Sequence, residues 1–260
     1  EMGPFMVGLI TAAYQLILRP LLFLLPAEVA QKVADLALRQ RPAWRALAPA
    51  FRVWSVRLHV GLCGLELRNP VGLAAGYDKN CALIPSLASL GFGYLTVGTV
   101  TESPQTGNPK PRMFRYAKER SLINALGFPN VGLEVAARNL ERGGEGLGST
   151  SIVVSVSGAS ADEILRCHRR LEPLADAVEL NISSPNTTGL RAFHEPATLQ
   201  ELLERVNEAR TKPLMVKLPP YEPDVTAESQ GGLLALARVC ADLGVDALTV
   251  ANSRPARDPR

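Results

Sequence analysis

Residues 177–190, AVELNISSPNTTGL, combine side chains that could bind a small polar molecule. Val178, Leu180 and Ile182 alternate with polar residues, as expected for a β-strand. Two asparagines, two serines and a proline follow where this strand should stop. In a parallel α/β architecture, the carboxyl end of a strand is where amides and hydroxyls meet a ligand without disturbing the core. We therefore expect chemistry at this position.

The other candidate strands also end in polar residues. Any soluble barrel places some polar groups at strand ends, so the convergence is more informative than any single site. The strand ends are Ala75-Gly76-Tyr77-Asp78-Lys79-Asn80, Gly98-Thr99, Ser155-Val156-Ser157-Gly158, Lys217 and Asn252-Ser253.

Two lysines among these strand ends could bind an anionic ligand. Lys217 follows the apolar run Leu214-Met215-Val216, and a lysine at the inner end of a strand is costly without an anionic partner. A structural ion pair is the alternative for Lys217. Lys79 adds a positive charge that could hold a carboxylate.

Four asparagines suit a flat heterocycle with alternating N–H and C=O groups, because each carboxamide offers a donor and an acceptor. They are Asn124, Asn181, Asn186 and Asn252. Capping of a loop is the alternative for each of them. Gly76 is a position where the backbone could approach a ring closely, although turn geometry explains this glycine equally well.

Composition argues against several other classes of protein. The formal net charge is only +3, and no Lys/Arg run with interleaved aromatic residues indicates a nucleic-acid groove. The three histidines are scattered without ligand spacing. The four cysteines lie far apart with no CxxC pair, which disfavours a zinc site or a redox dithiol and favours idle thiols. These cysteines are Cys63, Cys81, Cys167 and Cys240.

Short apolar strands, polar loops and amphipathic helices alternate after about residue 60, which indicates βα units around a parallel sheet. The predicted strands are Val71–Ala75, Tyr94–Val100, Ser151–Val156, Ala177–Ile182, Leu214–Leu218 and Ala247–Val250. The predicted helices are Ala82–Leu90, Val131–Glu141, Ser160–Leu171, Ala197–Thr211 and Gln230–Leu243.

The pattern predicts an α/β fold with about six βα units of a (β/α)8 TIM barrel, spanning residues 41–260. Because the sequence stops directly after the sixth strand, we expect a barrel that is cut short at its carboxyl end. The proline- and glycine-containing insertion Thr101–Asn130 predicts an ordered functional loop.

Residues 1–40 predict a small amphipathic helical hairpin. The first apolar stretch is interrupted by Arg19-Pro20 and is too short to span a bilayer, which needs about 20 apolar residues. We expect the hairpin to lie on a membrane surface or to cover a hydrophobic channel, with packing wholly onto the main domain as the alternative. The second helix, Ala27 to Gln40, has a more polar, wetter side, which is formed by Glu28, Lys32, Asp35 and Arg39.

Six segments in a fixed order resemble the dihydroorotate dehydrogenases, and specifically their membrane-associated, quinone-using class. The resemblance runs from about Leu9 to the end of the chain. The segments are NPVGLAAGYDKN (69–80), GFGYLTVGTVTESPQTGNPKPRMFR (91–115), INALGF (123–128), NISSPNTTGL (181–190), VKLPP (216–220) and VANS (250–253).

This resemblance implies an FMN-containing (β/α)8 barrel that oxidises dihydroorotate to orotate in pyrimidine biosynthesis and passes the electrons to a membrane quinone. Ser184 then takes the place of the catalytic base that removes the C5 proton. The soluble class has cysteine at this position, so the serine favours the quinone class. The implied location is peripheral to a membrane, at the cytoplasmic face of the cell membrane if the source is bacterial.

The resemblance also implies site residues by position. Arg115 matches the quinone entrance, and Lys217 is expected beside the N1/O2 edge of the flavin. The implied substrate-binding residues are Lys79, Asn124, Ala125, Leu126, Gly127, Phe128, Asn181, Asn186, Asn252 and Ser253. The implied FMN-binding residues are Ala75, Gly76, Tyr77, Asp78, Lys79, Thr99, Ser155, Asn181, Lys217 and Ala251.

Two positions depart from the pattern of the quinone class. Ser155 stands where an asparagine is frequent, and Ala251 stands where a threonine is usual. The family's seventh and eighth strands, whose loops bind the FMN phosphate, have no counterpart in the sequence. Two alternative functions follow: a soluble-class enzyme that uses fumarate or NAD, and a catalytically silent fragment that adheres to membranes.

Overall fold

The computed structural model describes residues 4–144, 150–183, 189–220 and 227–253. Ten strands lie in these ranges. They are β1 Val60–Leu62, β2 Leu65–Leu67, β3 Gly72–Leu73, β4 Tyr94–Val100, β5 Met113–Tyr116, β6 Ser121–Asn124, β7 Ser151–Val156, β8 Ala177–Asn181, β9 Leu214–Lys217 and β10 Ala247–Thr249.

Nine α-helices are found in the same ranges. They are α1 Pro4–Ala13, α2 Arg19–Phe23, α3 Ala27–Leu38, α4 Arg41–Phe51, α5 Ile84–Ala88, α6 Leu133–Gly143, α7 Ala161–Leu171, α8 Pro196–Asn207 and α9 Ala227–Asp242.

Six of the strands form one parallel sheet in the order β3-β4-β7-β8-β9-β10. Each strand pairs with the next strand of the βα series, and helices α5 to α9 connect the successive strands. This sequential order is that of a (β/α)8 barrel, and the predicted fold class is confirmed for the units described.

The six predicted strands are all present, and β4 and β7 have the predicted bounds. β3 is shorter than the predicted Val71–Ala75, because only Gly72 and Leu73 pair with β4. A Cβ at Gly72 would lie 2.1 Å from the Tyr94 ring, so this glycine lets the two strands approach.

The structure contains two antiparallel hairpins and a helix, α4, that the sequence analysis did not predict. Cys63 and Gly64 both have positive φ and connect β1 to β2 in a two-residue turn. Turns of this type favour Asn-Gly or Asp-Gly, so Cys-Gly gives a weak hairpin signal in the sequence. Leu62, Cys63 and Leu65 pack against a small cluster inside the barrel that contains Met215. The β5–β6 hairpin lies within the predicted functional loop Thr101–Asn130.

The first helical segment continues through Pro20, where an interruption was predicted. A π-helical turn, Tyr14–Leu18, joins α1 to α2, and the Arg19 N–H donates to the Tyr14 carbonyl five residues earlier. This wider turn accommodates the proline, whose ring would otherwise clash with the carbonyl four residues before it. The division of the chain at residue 40 into two domains stays a prediction.

The main core lies between the sheet and its helices. Leu180, Ile182 and Leu202 are fully buried there. Burial also raises the pKa of the Cys167 thiol to about 12 and that of the Cys240 thiol to about 11. These two cysteines are therefore protonated, unreactive core residues at neutral pH.

His168 of α7 is buried at 1% exposure, and its Nε2 lies 3.9 Å from Glu172 Oε1. That carboxylate oxygen also accepts hydrogen bonds from the backbone N–H groups of Thr211 and Lys212, at 2.7 and 3.0 Å. Burial lowers the pKa of His168, and the charge of Glu172 only partly opposes this effect. The folded protein therefore disfavours the imidazolium.

We predict that His168→Gln makes the protein less sensitive to mild acid. Because the pKa of His168 is lower in the folded state, the unfolded chain binds the extra proton more readily. Stability is therefore lost as the pH falls through the ordinary histidine range near 6.5. The unfolding temperature should drop less in the variant than in the parent between about pH 8 and about pH 5.5, where ordinary carboxylates stay ionised. Equal drops would contradict this role.

Candidate functional site

The strand register brings the predicted polar residues to one rim of the sheet. Asn181 at the end of β8 pairs with Lys217 at the end of β9, and Lys217 pairs with Thr249 of β10. Ser155 of β7 pairs with Glu179 of β8. Because all six strands are parallel, their carboxyl ends meet on the same side of the barrel.

Strand β4 is irregular where it reaches this rim. Its register with β7 shifts between Val97 and Val100, and Gly98 has a φ of +100°. A Cβ at Gly98 would lie 2.4 Å from the carbonyl oxygen of Ser155, so only glycine fits between the two strands. The Gly98 carbonyl accepts from Gly76 N–H at 2.8 Å, and its N–H donates to the Asp78 carbonyl at 3.0 Å. These bonds attach the loop after β3 to the end of β4.

A buried network of hydroxyls and one amide forms the centre of the rim. Thr99 Oγ1 lies 3.0 Å from Ser155 Oγ and accepts a hydrogen bond from Asn181 Nδ2 at 2.8 Å. Asn181 Oδ1 accepts from the hydroxyl of Ser183 at 2.7 Å, and the hydroxyl of Ser157 donates to the Asn181 carbonyl at 2.8 Å. The carboxamide of Asn181 is thereby fixed in orientation.

Asp78 and Lys79 have different roles in the loop after β3. The Asp78 carboxylate accepts from the backbone N–H groups of Ala82 and Leu83, at 2.9 and 2.8 Å, and so anchors the loop to the start of α5. Lys79 Nζ donates to the Gly76 carbonyl. Burial lowers the pKa of Lys79, and the nearby carboxylates of Asp35 and Asp78 oppose this shift.

Lys217 is half-buried, and no described residue provides its side chain with a hydrogen-bonding or ion-pairing partner. One step below it in the barrel, Glu179 is buried at 3% exposure. Glu179 Oε2 accepts from the hydroxyl of Thr249 at 2.7 Å, whereas Oε1 is buried without a partner in the described ranges. The barrel interior thus holds a cation at the rim and an acid beneath it.

The segment that follows β10 reaches the segment that follows β8. Asn252 Nδ2 donates to the Ser183 carbonyl at 3.3 Å, and Asn252 Oδ1 accepts from the Ser253 N–H at 2.8 Å. Ala251 is half-buried and Ser253 is exposed. The catalytic assignment of Ser184 and the substrate assignment of Asn186 fall outside the described residues, and both stay predictions.

The segment after β6 shares a cavity with Lys79. Leu126 lines a cavity with Lys79, and its carbonyl accepts from the Asn108 N–H at 3.0 Å. Gly127 has a φ of +69° and also packs against Asn108. Asn124 is exposed, and no described contact joins its side chain to the rim. Phe128, which is half-buried with positive φ, packs at the edge of the main core.

Arg115 connects β5 to the amino-terminal helices. Its guanidinium donates to the carbonyls of Leu22 (3.2 Å) and Leu25, and its central carbon lies 4.5 Å from the centre of the Phe23 ring. The predicted quinone-pocket residue therefore contacts the end of α2 and the turn that follows it.

A cavity of about 260 Å³ separates α3 from the barrel. The face of α3 predicted as its wetter side points into this cavity, and both Asp35 and Lys79 line its wall. Glu28 of the same face forms ion pairs with Arg112 at 2.9 Å and with Lys110 at 3.1 Å. Although burial opposes it, the hydrogen bonds of Lys110 and Arg112 hold the pKa of Glu28 below its ordinary value.

The sequence analysis overlooked Asp35, Glu179 and Arg112 as site residues. The period-two alternation of β8 already placed Glu179 on the same face as Asn181. The spacing of the α3 stripe likewise placed Asp35 on one face with Glu28, but it did not show that this face meets the barrel. Within the described ranges, no cluster of three or more His, Cys, Asp or Glu side chains could hold a metal ion.

The fold belongs to the (β/α)8-barrel class, with polar groups gathered at the carboxyl rim of a parallel sheet. A family model described as dihydroorotate dehydrogenase matches residues 57–258. A dihydroorotate dehydrogenase (quinone) of Thermus thermophilus is 43% identical over 204 residues, which cover 76% of the chain. A dihydroorotate dehydrogenase (quinone) of Roseiflexus sp. strain RS-1 is 41% identical over 264 residues, and this match covers 95% of the chain.

A solved structure shows the same relationship. The crystal structure of DHODH from Eimeria tenella in complex with ferulenol superimposes with a TM-score of 0.72 at 30% identity, covering 89% of this chain and 68% of the other. The chain belongs to the dihydroorotate dehydrogenase family, in its quinone-dependent class. It spans 58% of the length of the Thermus relative and 71% of the Roseiflexus relative.

We predict that Thr99→Val destabilises the protein by about 1–3 kcal/mol, because it removes the partner of the buried Asn181 amide and Ser155 hydroxyl. Thr99→Ser keeps the hydroxyl and should cost only about 1 kcal/mol for the lost methyl group. Denaturant unfolding of the two variants measures the difference. The network would have no energetic importance if both substitutions changed the free energy of unfolding equally.

Proposed function

We propose that this chain forms the catalytic body of an enzyme that oxidises dihydroorotate to orotate and passes the electrons through FMN to a quinone. The observation that carries the proposal is the rim of a barrel of this family. There, Asn181 ends β8, Lys217 ends β9, and Lys79 lies in the loop after β3. The curated relatives are named as quinone enzymes, which supports quinone over fumarate or NAD as the acceptor.

The rim residues fit a flavin mononucleotide. A Cβ on Gly76 would meet no heavy atom within 4 Å, so open space lies beside this backbone. Lys217 offers a half-buried cation for the electron-rich edge of the ring, where negative charge develops on reduction. FMN supplies the redox chemistry when bound, by taking a hydride from the substrate. The residues proposed to hold it are Ala75, Gly76, Tyr77, Asp78, Lys79, Thr99, Ser155, Asn181, Lys217 and Ala251.

Lys79 is proposed to hold the carboxylate of dihydroorotate. A charge-assisted hydrogen bond from a largely desolvated ammonium is stronger than one between neutral groups. The fixed carboxamide of Asn181 can donate its second Nδ2 proton to a ring C=O, and its orientation is already set before binding. Asn252 adds a second carboxamide from the end of β10. The remaining proposed substrate residues are Asn124, Ala125, Leu126, Gly127, Phe128, Asn186 and Ser253.

Ser184 is proposed as the base that removes the C5 proton. Its neighbour Ser183 is anchored on both sides, because its hydroxyl donates to Asn181 and its carbonyl accepts from Asn252. These two hydrogen bonds hold Ser183, the residue directly before Ser184, in place at the rim. A serine hydroxyl is a weak base, so the reaction requires a positioned proton acceptor or water path in a water-poor site.

The quinone is proposed to bind beside Arg115, between the amino-terminal helices and the barrel. The Arg115 guanidinium already holds two carbonyls and the Phe23 ring of the helical turn. It can therefore position that turn and also offer N–H donors to a quinone oxygen.

Contact with a membrane surface is proposed for the same helices. More than half of the strongly exposed large apolar side chains of the described chain lie within residues 9–36, and Leu16 and Leu24 are 76% and 81% exposed. Such a patch marks a membrane or protein contact. None of the helices that the structure describes is both long enough and apolar enough to cross a bilayer.

The proposed activity is tested with the purified protein and its visible absorbance. The protein should be yellow, dihydroorotate should bleach it, and a ubiquinone analogue should restore the colour. Restoration by fumarate or NAD, but not by the quinone, would indicate the soluble class instead. A colourless protein that still binds liposomes would support a catalytically silent, membrane-adhering chain.

Ser184→Ala is the matched variant for this experiment. It should keep the flavin absorbance and slow bleaching by about 10²–10⁴-fold, the usual contribution of a positioned base. If the variant is reduced by dihydroorotate at the parental rate, Ser184 is not the base.

We predict that the double substitution Leu16→Ser and Leu24→Ser weakens binding to phosphatidylcholine vesicles by at least about tenfold. Each leucine transferred from water to an apolar phase contributes about 1.5–3 kcal/mol. Leu234→Ser, at a 59% exposed leucine of α9, is the matched control and should bind as the parent does. Vesicle co-sedimentation gives the comparison, and equal loss in both proteins would argue against the helical hairpin as the membrane contact.

A further inference from the structure

Asp35 lies on α3, outside the barrel, yet it shares a cavity with the substrate-site lysine. The cavity of about 260 Å³ is lined by Asp35 from α3 and by Lys79 from the loop after β3. Asp35 Oδ1 is buried, and no described residue gives it a hydrogen bond. A buried carboxylate oxygen without a donor is costly, so a nearby positive charge is its natural compensation.

The two groups affect each other electrostatically. Burial raises the pKa of Asp35, and the charges of Arg39 and Lys79 oppose that rise. Burial lowers the pKa of Lys79, and Asp35 is the strongest of the charges that oppose the fall. Each group therefore favours the charged form of the other in a place where desolvation disfavours both charges.

Among the described residues that line the cavity, the other two carboxylates, Asp78 and Glu28, do not replace Asp35. The Asp78 carboxylate is occupied by two backbone N–H groups, and Arg112 acts on Lys79 in the opposite direction. Glu28 is paired with Lys110 and Arg112.

We propose that Asp35 is a positioning residue for the substrate site, because its partnerless carboxylate lines the same cavity as Lys79 and supplies negative charge beside the lysine that is to bind the substrate carboxylate. The inference rests on the proposed function for the role of Lys79. It adds that the amino-terminal hairpin contributes a charge to the dihydroorotate site as well as a surface to the quinone site. Displacement of α3 then weakens substrate binding.

The first test measures Lys79 itself and needs neither flavin nor substrate. Trace acetylation of the purified protein, followed by mass spectrometry of the Lys79 peptide, gives the pH midpoint of its reactivity. Asp35→Asn should move this midpoint to lower pH, and Asp35→Glu should restore it. At a fixed pH below the midpoint, lowering the midpoint by one pH unit raises the labelling rate about tenfold. Asp35→Ser serves as the neutral variant if Asp35→Asn does not fold.

The matched control is Asp242→Asn, at an exposed carboxylate of α9, which should leave the midpoint unchanged. An unchanged or raised midpoint in Asp35→Asn overturns the proposal. An equal fall in Asp242→Asn also overturns it, since the effect would then be one of net charge alone.

The second test measures orotate binding through the perturbation of flavin absorbance as a function of pH. The alkaline loss of affinity should begin at lower pH in Asp35→Asn than in the parent and in Asp35→Glu. If Lys79 labelling shifts while the affinity profile does not, Asp35 does not serve the substrate site and the proposal fails. If the parent binds neither flavin nor orotate, the proposed function fails, whereas the labelling result still decides whether Asp35 acts on Lys79.

Discussion

Parallel pairing of the strands with a fixed register is the constraint on which the rest of the structure depends. A side chain alternates between the two faces of a strand, so a shift of one residue in β8 would turn Asn181 into the helix layer and Leu180 into the site. The observed register instead aligns Asn181 with Lys217 and Ser155 with Glu179. The apolar residues of the same strands, which pack under the helices, thereby fix the positions of the polar ones. Core packing and the composition of the site are consequences of a single alignment.

Buried polar groups at the rim convert this alignment into a defined geometry. Apolar packing alone leaves the orientation of an amide or a loop open, whereas a hydrogen bond in a low-dielectric interior selects one arrangement. The Asp78 carboxylate fixes the loop that carries Lys79, and Thr99 fixes the carboxamide of Asn181. Gly98 permits both arrangements. Because it has no side chain, β4 can approach β7 closely at this residue, and the loop after β3 forms its hydrogen bonds with the Gly98 backbone at the same point. The rim is therefore organised by the protein itself, as electrostatic preorganisation requires.

The sequence predicted the parts of the fold that repeat with a clear period. The six strands were found because their apolar residues alternate or run together, and β4 and β7 were found with their bounds. The β1–β2 hairpin was missed because its Cys-Gly turn lacks the usual turn residues. The strand-end residues were predicted as a set, but sequence does not show which partners they hold. The structure describes such partners for Asp78 and Asn181, whereas the segment containing Ser184 lies outside its described ranges.

Helix α3 shows why pattern alone could not assign the hairpin. A polar stripe on an amphipathic helix ordinarily faces water, and this interpretation placed Glu28 and Asp35 on the solvent side. In the folded chain, the stripe faces the barrel, and the exposed apolar face, which includes Val33 and Leu36, lies on the other side. Ion pairs between Glu28 and the loop that carries Lys110 and Arg112 attach this polar face to the barrel. The polar face of α3 is thus held by the barrel, while the apolar face of the same helix is left exposed. Helix α3 therefore contributes side chains to the cavity that also contains Lys79.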